Sequence, residues 1–153
     1  MTIKVPRGML ATTVSGNQRF QEEVATLGRY FPGFTLRRSQ GDIWADAAGT
    51  LRTFADKRYQ IRIILGSNFP HTVPDIEPVG WRPKSNPHMY PSGNLCVMRS
   101  SQWSSFMTTA VMVAKAAIWL NKYEVWLDKR YWPGSEQHDH NMIYNLRKWW
   151  HEL

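Results

Sequence analysis

The chain has 153 residues, of which 42% are hydrophobic and 20% charged, a balance that favours a folded globular domain and argues against disorder. Its single cysteine, Cys96, excludes an intramolecular disulfide and fits a reducing compartment. The most apolar run, AVMVAKAAIWL at 110–120, is too short for a membrane helix of about 20 residues, and the N-terminus lacks the apolar run of a secretory signal. We therefore expect one cytoplasmic domain over 1–153 without a membrane segment.

The net charge of +7 comes from 19 Lys and Arg against 12 Asp and Glu. Such a balance is compatible with nucleic acid, an anionic surface or an acidic protein partner. The basic residues are scattered, however, and the densest groups are LRR at 36–38 and DKR at 128–130. Because nucleic-acid binding needs a clustered basic face, the charge favours a solvated basic surface and makes nucleic acid an unlikely partner.

The first predicted element is a helix over 15–30. Ser15 can cap its start, and the Pro-Gly pair at 32–33 ends it. Helical spacing predicts an apolar face made of Phe20, Val24, Leu27 and Tyr30 or Phe31.

Strand-like segments follow the helix. They are FTLRR (34–38), IWADAAG (43–49), LRTFAD (51–56) and RYQIRIIL (58–65), with a further short strand predicted in DIEPVGW (75–81). An irregular stretch of about 81–107, rich in Pro, Gly, Asn and Ser, is long for a connection, and long ordered loops are often functional.

A buried apolar helix is predicted over about 108–127, with Thr108 or Thr109 as its cap. Residues 128–139 have a loop composition, and 140–153 is predicted to be an amphipathic helix with Met142, Leu146 and Trp149 or Trp150 on one face. The order of helix, antiparallel meander, long loop and helices indicates an α+β fold with helices against one sheet.

Cys96 follows a Gly-Asn turn within the irregular stretch, in the segment PSGNLCVM. Position alone favours a structural cysteine, because free cysteines are among the most buried residues. A hydrolase would need a histidine oriented by a carboxylate, and no Asp or Glu lies between Glu77 and Glu124. A zinc site is a poorer interpretation still, since the ligand-pair spacing is missing.

The order of motifs around Cys96 resembles that of the ubiquitin-conjugating enzymes, which hold a ubiquitin-like protein as a cysteine thioester. That family has an N-terminal helix, a four-stranded meander, a Tyr-Pro turn, a His-Pro-Asn triplet, the catalytic cysteine, a Trp and a buried helix. The corresponding features here are NFPHTVP with Phe69-Pro70 and Pro74, His88-Met89-Tyr90, GNLCV around Cys96, and Trp103. The resemblance covers about 15–127 and implies the same fold.

The chain departs from the family pattern in two places. Tyr90 stands where the family has the Asn that stabilises the oxyanion, so that role does not transfer intact. The tail, WLDKRYWPGSEQHDH, is more similar to bacterial versions of the fold, some encoded beside cyclic-oligonucleotide synthases in anti-phage (CBASS) operons. For those systems the resemblance implies thioester formation with, or conjugation of, the C-terminus of the synthase.

Each candidate site residue has a functional and a structural interpretation. Cys96 is a nucleophile or buried filler, and the resemblance favours the nucleophile. His88 holds the shape of the loop or transfers a proton, Tyr90 packs the loop or donates to an oxyanion, and Asn94 supports the turn or donates likewise. Trp103 is expected to pack under the loop. His138, with His140, is an exposed loop residue or a general base that folds back toward Cys96.

We therefore expect a cysteine-dependent acyl carrier that forms a thioester with the C-terminus of a partner protein and transfers it to an amine. No cofactor or metal is expected in this chain, since ATP would be consumed by a separate activating enzyme. The alternative is a non-catalytic adaptor of the same fold that binds a partner protein. The departure at Tyr90 favours the adaptor, whereas the presence of Cys96 opposes it.

Overall fold

The computed structural model describes residues 5–38 and 45–134. Helix α1 spans Gly16–Tyr30 and helix α2 spans Thr109–Lys129. Between them lie β1 (Thr35–Arg37), β2 (Asp46–Arg52), β3 (Arg58–Ile64) and β4 (Asp75–Pro78), with short 3₁₀ turns at Arg7–Met9 and Ser100–Gln102. The strands form one antiparallel sheet in the order β1-β2-β3-β4. This confirms the α+β meander, while the helix predicted over 140–153 lies outside the described residues.

The sheet differs from the sequence prediction at its second strand. The segments 43–49 and 51–56 were expected as two strands, but β2 runs unbroken from Asp46 to Arg52. It then turns at Thr53–Lys57, where Asp56 adopts a left-handed conformation with φ 62°. The prediction was wrong because Gly49 does not break the strand. A side chain there would strike the ring of Phe34, so glycine permits close packing.

Helix α2 forms the centre of the molecule. Every residue from Thr109 to Tyr123 is buried, including Lys115 and Lys122. The sheet covers the helix with the alternate residues Ile61 and Ile63 of β3, both 0% exposed. The prediction of a buried helix over 108–127 is confirmed, and no helix of the described residues is long and apolar enough to cross a membrane.

Helix α1 has the predicted bounds, and its predicted apolar face is confirmed at Leu27 and Phe31, which are buried, and at Phe20, which packs against the core. Val24, expected in the core, is 47% exposed, whereas the charged residues Arg19 and Glu23 are fully buried. Ser15 occupies the N-cap position without a hydrogen bond from its side chain to the helix. The apolar pattern was wrong at Val24, because the charged residues Arg19 and Glu23 occupy the buried positions in this part of the helix.

Those polar groups connect α1 to the start of α2. The carboxylate of Glu23 accepts hydrogen bonds from the backbone N–H of Thr109 (2.7 Å) and from its hydroxyl, so Glu23 satisfies a helix-end donor that a local cap would otherwise bind. Arg19 forms an ion pair with Glu23 (3.1 Å) and donates to the carbonyls of Ser105 (2.6 Å) and Met107 (2.8 Å). The Thr108 hydroxyl donates instead to the Met9 carbonyl, at 2.7 Å.

The irregular segment between β4 and α2 contributes Leu95, Val97, Met98 and Met107 to the core. Trp103 donates its indole N–H to the carbonyl of Pro70 at 2.7 Å, and its ring lies 6.2 Å from that of Phe69. The Phe69–Pro70 peptide bond is cis. Trp103 therefore packs under the loop, as expected from the sequence.

Candidate functional site

Cys96 lies on the second limb of a small hairpin that spans 88–96. Its backbone N–H donates to the carbonyl of His88 at 3.0 Å, and the N–H of Tyr90 donates to the carbonyl of Asn94 at 3.0 Å. Met89 and Leu95 pair between these bonds as an antiparallel bridge. The thiol is thus held by main-chain pairing within the segment that was predicted to be irregular.

The turn of the hairpin is fixed by Gly93 and Arg82. The N–H of Gly93 donates to the carbonyl of Tyr90 at 2.9 Å, and Gly93 has φ +94°, a conformation that favours glycine. The guanidinium of Arg82 donates to the carbonyls of Pro91 and Ser92, each at 3.0 Å. A β-carbon on Gly93 would lie 2.9 Å from that guanidinium, so the glycine permits both the turn and its contact with Arg82.

The pairing explains why four of the candidate site residues share one face. Side chains alternate along each limb of a hairpin, and residues directly opposite each other point the same way. Met89 and Leu95 occupy one face, where Leu95 is buried in the core. The other face carries His88, Tyr90, Asn94 and Cys96.

Tyr90 and Cys96 interact directly on that face. A side-chain hydrogen bond to Cys96 is the largest cause that raises the pKa of Tyr90 to about 12. Partial burial and the negative charges of a Cys96 thiolate and of Asp75 raise the pKa further. Tyr90, which is 45% exposed, therefore keeps its proton at neutral pH and is a hydrogen-bond donor beside the half-buried sulfur.

His88 supports the base of the hairpin. It is buried, and its carbonyl accepts hydrogen bonds from both the Cys96 N–H (3.0 Å) and the indole N–H of Trp119 in α2 (2.8 Å). Its ring lies 4.4 Å from that of Trp132, in the segment that follows α2. These contacts favour the structural interpretation of His88, because they attach the hairpin to the central helix.

Asn94 contributes to the turn through its main chain. Its carbonyl accepts from Tyr90, and its N–H donates to the hydroxyl of Ser92 at 3.3 Å. By the alternation of the hairpin, its side chain is on the same face as that of Cys96. The fifth candidate, His138, lies outside the described residues, as does His140.

Sequence reasoning missed two charged residues at this site. Arg82 lies in the stretch that the sequence predicts to be a loop. Its position in the sequence does not predict that it binds the carbonyls of the turn. Asp75 belongs to β4, yet its charge reaches Tyr90. Asp75 lies 21 positions before Cys96 in the sequence, and the hydrogen bond between Ile76 and Leu95 brings β4 to the hairpin.

A metal centre finds no support in the part of the chain at 5–38 and 45–134. No group of three His, Cys, Asp or Glu side chains is placed there to hold a metal ion. The chemistry of the hairpin face is that of a thiol, a phenol, an amide and a nearby carboxylate.

Comparison with known families identifies the family of this chain. The family model described as Type II CBASS E2 protein matches residues 23–139, more than half of the chain. The chain belongs to the type II CBASS E2 family. The match includes β1–β4, the whole hairpin with Cys96, and α2, so the family and the observed fold agree. Searches of the curated proteins and of the solved structures returned no significant match.

Membership of this family makes the chain an E2-like, CBASS-associated protein. It confirms the resemblance that the motifs around Cys96 indicated, including the bacterial anti-phage type. It also implies that the chain acts with partner proteins of a CBASS system.

Proposed function

We propose that this CBASS E2-like protein is a transferase that carries a partner protein as a thioester on Cys96. The observation that supports this most strongly is the pair formed by the half-buried thiol of Cys96 and the protonated hydroxyl of Tyr90. A thiol that serves only as core filler does not need a hydrogen-bond donor on a solvent-facing side.

Loading begins when the Cys96 sulfur, as thiolate, attacks the activated carbonyl at the C-terminus of the passenger. The S–C bond forms, the carbonyl oxygen gains negative charge, and the activating group departs with its electron pair. We propose that a separate, ATP-consuming enzyme supplies the activated carboxyl. In this step Tyr90 donates a hydrogen bond to the developing oxyanion, the task that an Asn performs in the related ubiquitin-conjugating enzymes.

Transfer to the acceptor takes place at the same hairpin face, where the sulfur is now the leaving group. An amine attacks the thioester carbonyl, the N–C bond forms, and the C–S bond breaks with its electron pair returning to the sulfur. Tyr90 can donate to the oxyanion and then to the departing thiolate, because a phenol keeps its proton at neutral pH. The amide of Asn94 is a second donor on the same face.

We propose the cyclic-oligonucleotide synthase of the CBASS system as the passenger, joined through its C-terminus. The chain acts in this proposal as a single domain over 1–153 in the cytoplasm. The net charge of +7 would favour encounter with an acidic partner.

The experiment that tests this function uses Cys96→Ser, co-expressed with the proteins encoded beside this chain. Attack by a serine hydroxyl would give an oxygen ester, which thiols do not cleave, so the passenger should accumulate on the variant. Peptide mass spectrometry should then locate the bond between residue 96 and the C-terminal residue of the passenger. Cys96→Ala is the matched control and should carry nothing. If Cys96→Ala binds the same partner as the wild type and neither the wild type nor the serine variant forms an adduct, the protein is an adaptor.

A further inference from the structure

Asp75 lies beside the hairpin although it is far from Cys96 in the sequence. It is the first residue of β4 and pairs with Ile64 of β3. The next residue, Ile76, accepts a hydrogen bond at its carbonyl from the N–H of Leu95, at 3.0 Å. This bond joins the start of β4 to the limb of the hairpin that carries Cys96.

Alternation along β4 and along the hairpin limb that it contacts indicates the direction of the Asp75 side chain. Ile76 and Leu95 are both buried, at 1% and 2% exposure, so both face the core. Their immediate neighbours, Asp75 on one segment and Cys96 on the other, therefore face away from the core on the same side. Independent support comes from Tyr90, whose pKa is raised in part by the charge of Asp75.

The Asp75 carboxylate is also available to a ligand. It is exposed, and in the part of the chain that the structure describes no Lys, Arg or His nitrogen lies within ion-pair distance of it. The other acidic residues on this face of the sheet differ, because Glu77 binds Arg62 at 2.9 Å and Asp46 binds Arg37 at 2.7 Å. Asp75 therefore leaves uncompensated negative charge next to the thiol face.

We propose that Asp75 forms an acceptor subsite that binds a primary ammonium group, such as a lysine side chain, next to the thioester on Cys96. The proposal rests on the proposed function and names its acceptor class. A carboxylate beside the thioester attracts a cationic amine and orients its N–H groups, so the attacking nitrogen is held near the carbonyl.

Both protons released in transfer go to water, and the role of Asp75 is to bind the cationic acceptor. After the bound ammonium loses one proton to water, the neutral amine attacks and the N–C bond forms. The nitrogen then carries a positive charge and a proton that has become strongly acidic. That proton passes to water, while the C–S electron pair returns to Cys96. Hydroxyl acceptors lack the positive charge that Asp75 would bind.

The test measures the discharge of a loaded chain in a single turnover. The full-length protein is loaded on Cys96 by exchange with a short peptide bearing a C-terminal glycyl thioester. Discharge is then followed by intact mass with free lysine or with hydroxylamine, which is largely uncharged at neutral pH. We expect Asp75→Asn to slow discharge to lysine about tenfold, the size of one charge interaction near a protein surface, and to leave discharge to hydroxylamine unchanged.

Asp56→Asn is the matched control, because Asp56 is exposed in the turn at the other end of the β2–β3 pair. It should discharge to both nucleophiles like the wild type. Equal rates for Asp75→Asn and wild type would overturn the subsite alone, and so would equal slowing with both nucleophiles, which would indicate a general defect. A wild type that cannot be loaded on Cys96 would overturn the proposed function and the subsite with it.

Discussion

The side chains of Tyr90 and Cys96 are hydrogen-bonded across the hairpin 88–96, and this bond raises the pKa of Tyr90 more than any other contact. Closeness in the sequence alone does not explain this hydrogen bond. It depends on the pairing of Tyr90 with Asn94 and of His88 with Cys96, which turns both side chains to one face. Its effects on transfer rate and on the pKa of Tyr90 can be measured without knowing the passenger.

Removal of the Tyr90 hydroxyl should impair transfer without unfolding the protein. Tyr90→Phe retains the ring but loses the donor to the oxyanion, so we expect discharge of a peptide thioester to lysine to fall about tenfold, a modest effect for one such donor. The melting temperature should change little because Tyr90 is 45% exposed. The control is Tyr131→Phe, an exposed tyrosine at 55%, which should leave the rate unchanged. Wild-type discharge by Tyr90→Phe would refute a role for the hydroxyl.

The ionisation of Tyr90 should depend on its two neighbours. NMR titration of ring-labelled tyrosines should show a pKa of about 12 for Tyr90 in the wild type. The pKa should fall toward its ordinary value of 10.0 in Cys96→Ala, which removes the largest cause, and fall less in Asp75→Asn. Because the folded-state pKa is raised, the associated stability is fully present below pH 10 and is lost as the pH rises toward 12. An unchanged pKa in Cys96→Ala would contradict the hydrogen bond.

The turn at Gly93 should tolerate no side chain. Gly93→Ala would force alanine into φ +94° and bring its β-carbon to 2.9 Å from the Arg82 guanidinium. We expect a loss of about 1–2 kcal/mol in the free energy of unfolding, from the backbone conformation alone, together with slower loading of Cys96. Denaturant unfolding and the peptide-thioester assay measure the two effects.

Gly28→Ala provides the matched control for this substitution. Gly28 lies within α1 and has no atom within 4 Å of the added carbon, so alanine should stabilise the protein by about 0.5–1 kcal/mol. If both substitutions changed stability in the same direction, the conformational argument for Gly93 would fail.

The buried pair Arg19–Glu23 should be the most sensitive part of helix α1. Glu23→Ala leaves the guanidinium of Arg19 buried without its carboxylate and removes the acceptor for the Thr109 N–H. We expect a loss of about 3–5 kcal/mol in the free energy of unfolding, measured by chemical denaturation. Gln21→Ala, at an exposed position of the same helix, should lie near the wild type. A loss below about 1 kcal/mol would show that the ion pair does not fix α1 against α2.

The fold was largely predictable from the sequence because hydrophobic periodicity reports burial. Tyr59, Ile61 and Ile63 alternate as a half-buried strand should, and the apolar run of α2 is the buried helix. The predictions for β2 and for Val24 were wrong because tertiary contacts override the local hydrophobic pattern there. The segments 43–49 and 51–56 were predicted as two strands, but β2 continues through Gly49. Val24 was assigned to the core, whereas Arg19 and Glu23 are the buried residues there.

The site was only partly predictable for a related reason. Cys96, Tyr90, Asn94 and His88 lie close together in the chain, so a motif could point to all four. Asp75 lies near the hairpin because the next residue, Ile76, is hydrogen-bonded to Leu95, and Arg82 binds carbonyls of the turn. Neither contact is predicted by a local sequence pattern. Residues that reach a site through main-chain contacts do not form a motif with fixed sequence spacing.

Intact mass spectrometry under non-reducing conditions shows whether Cys96 carries a protein as a thioester. The wild-type chain is co-expressed with the proteins encoded beside it and purified at mildly acidic pH, which slows thioester hydrolysis. We expect an adduct with the mass of a partner protein less one water, lost on treatment with thiol or hydroxylamine and absent from Cys96→Ala. An adduct of the same mass on Cys96→Ala, or no adduct on a wild-type chain that still binds the partner, would contradict the proposed thioester.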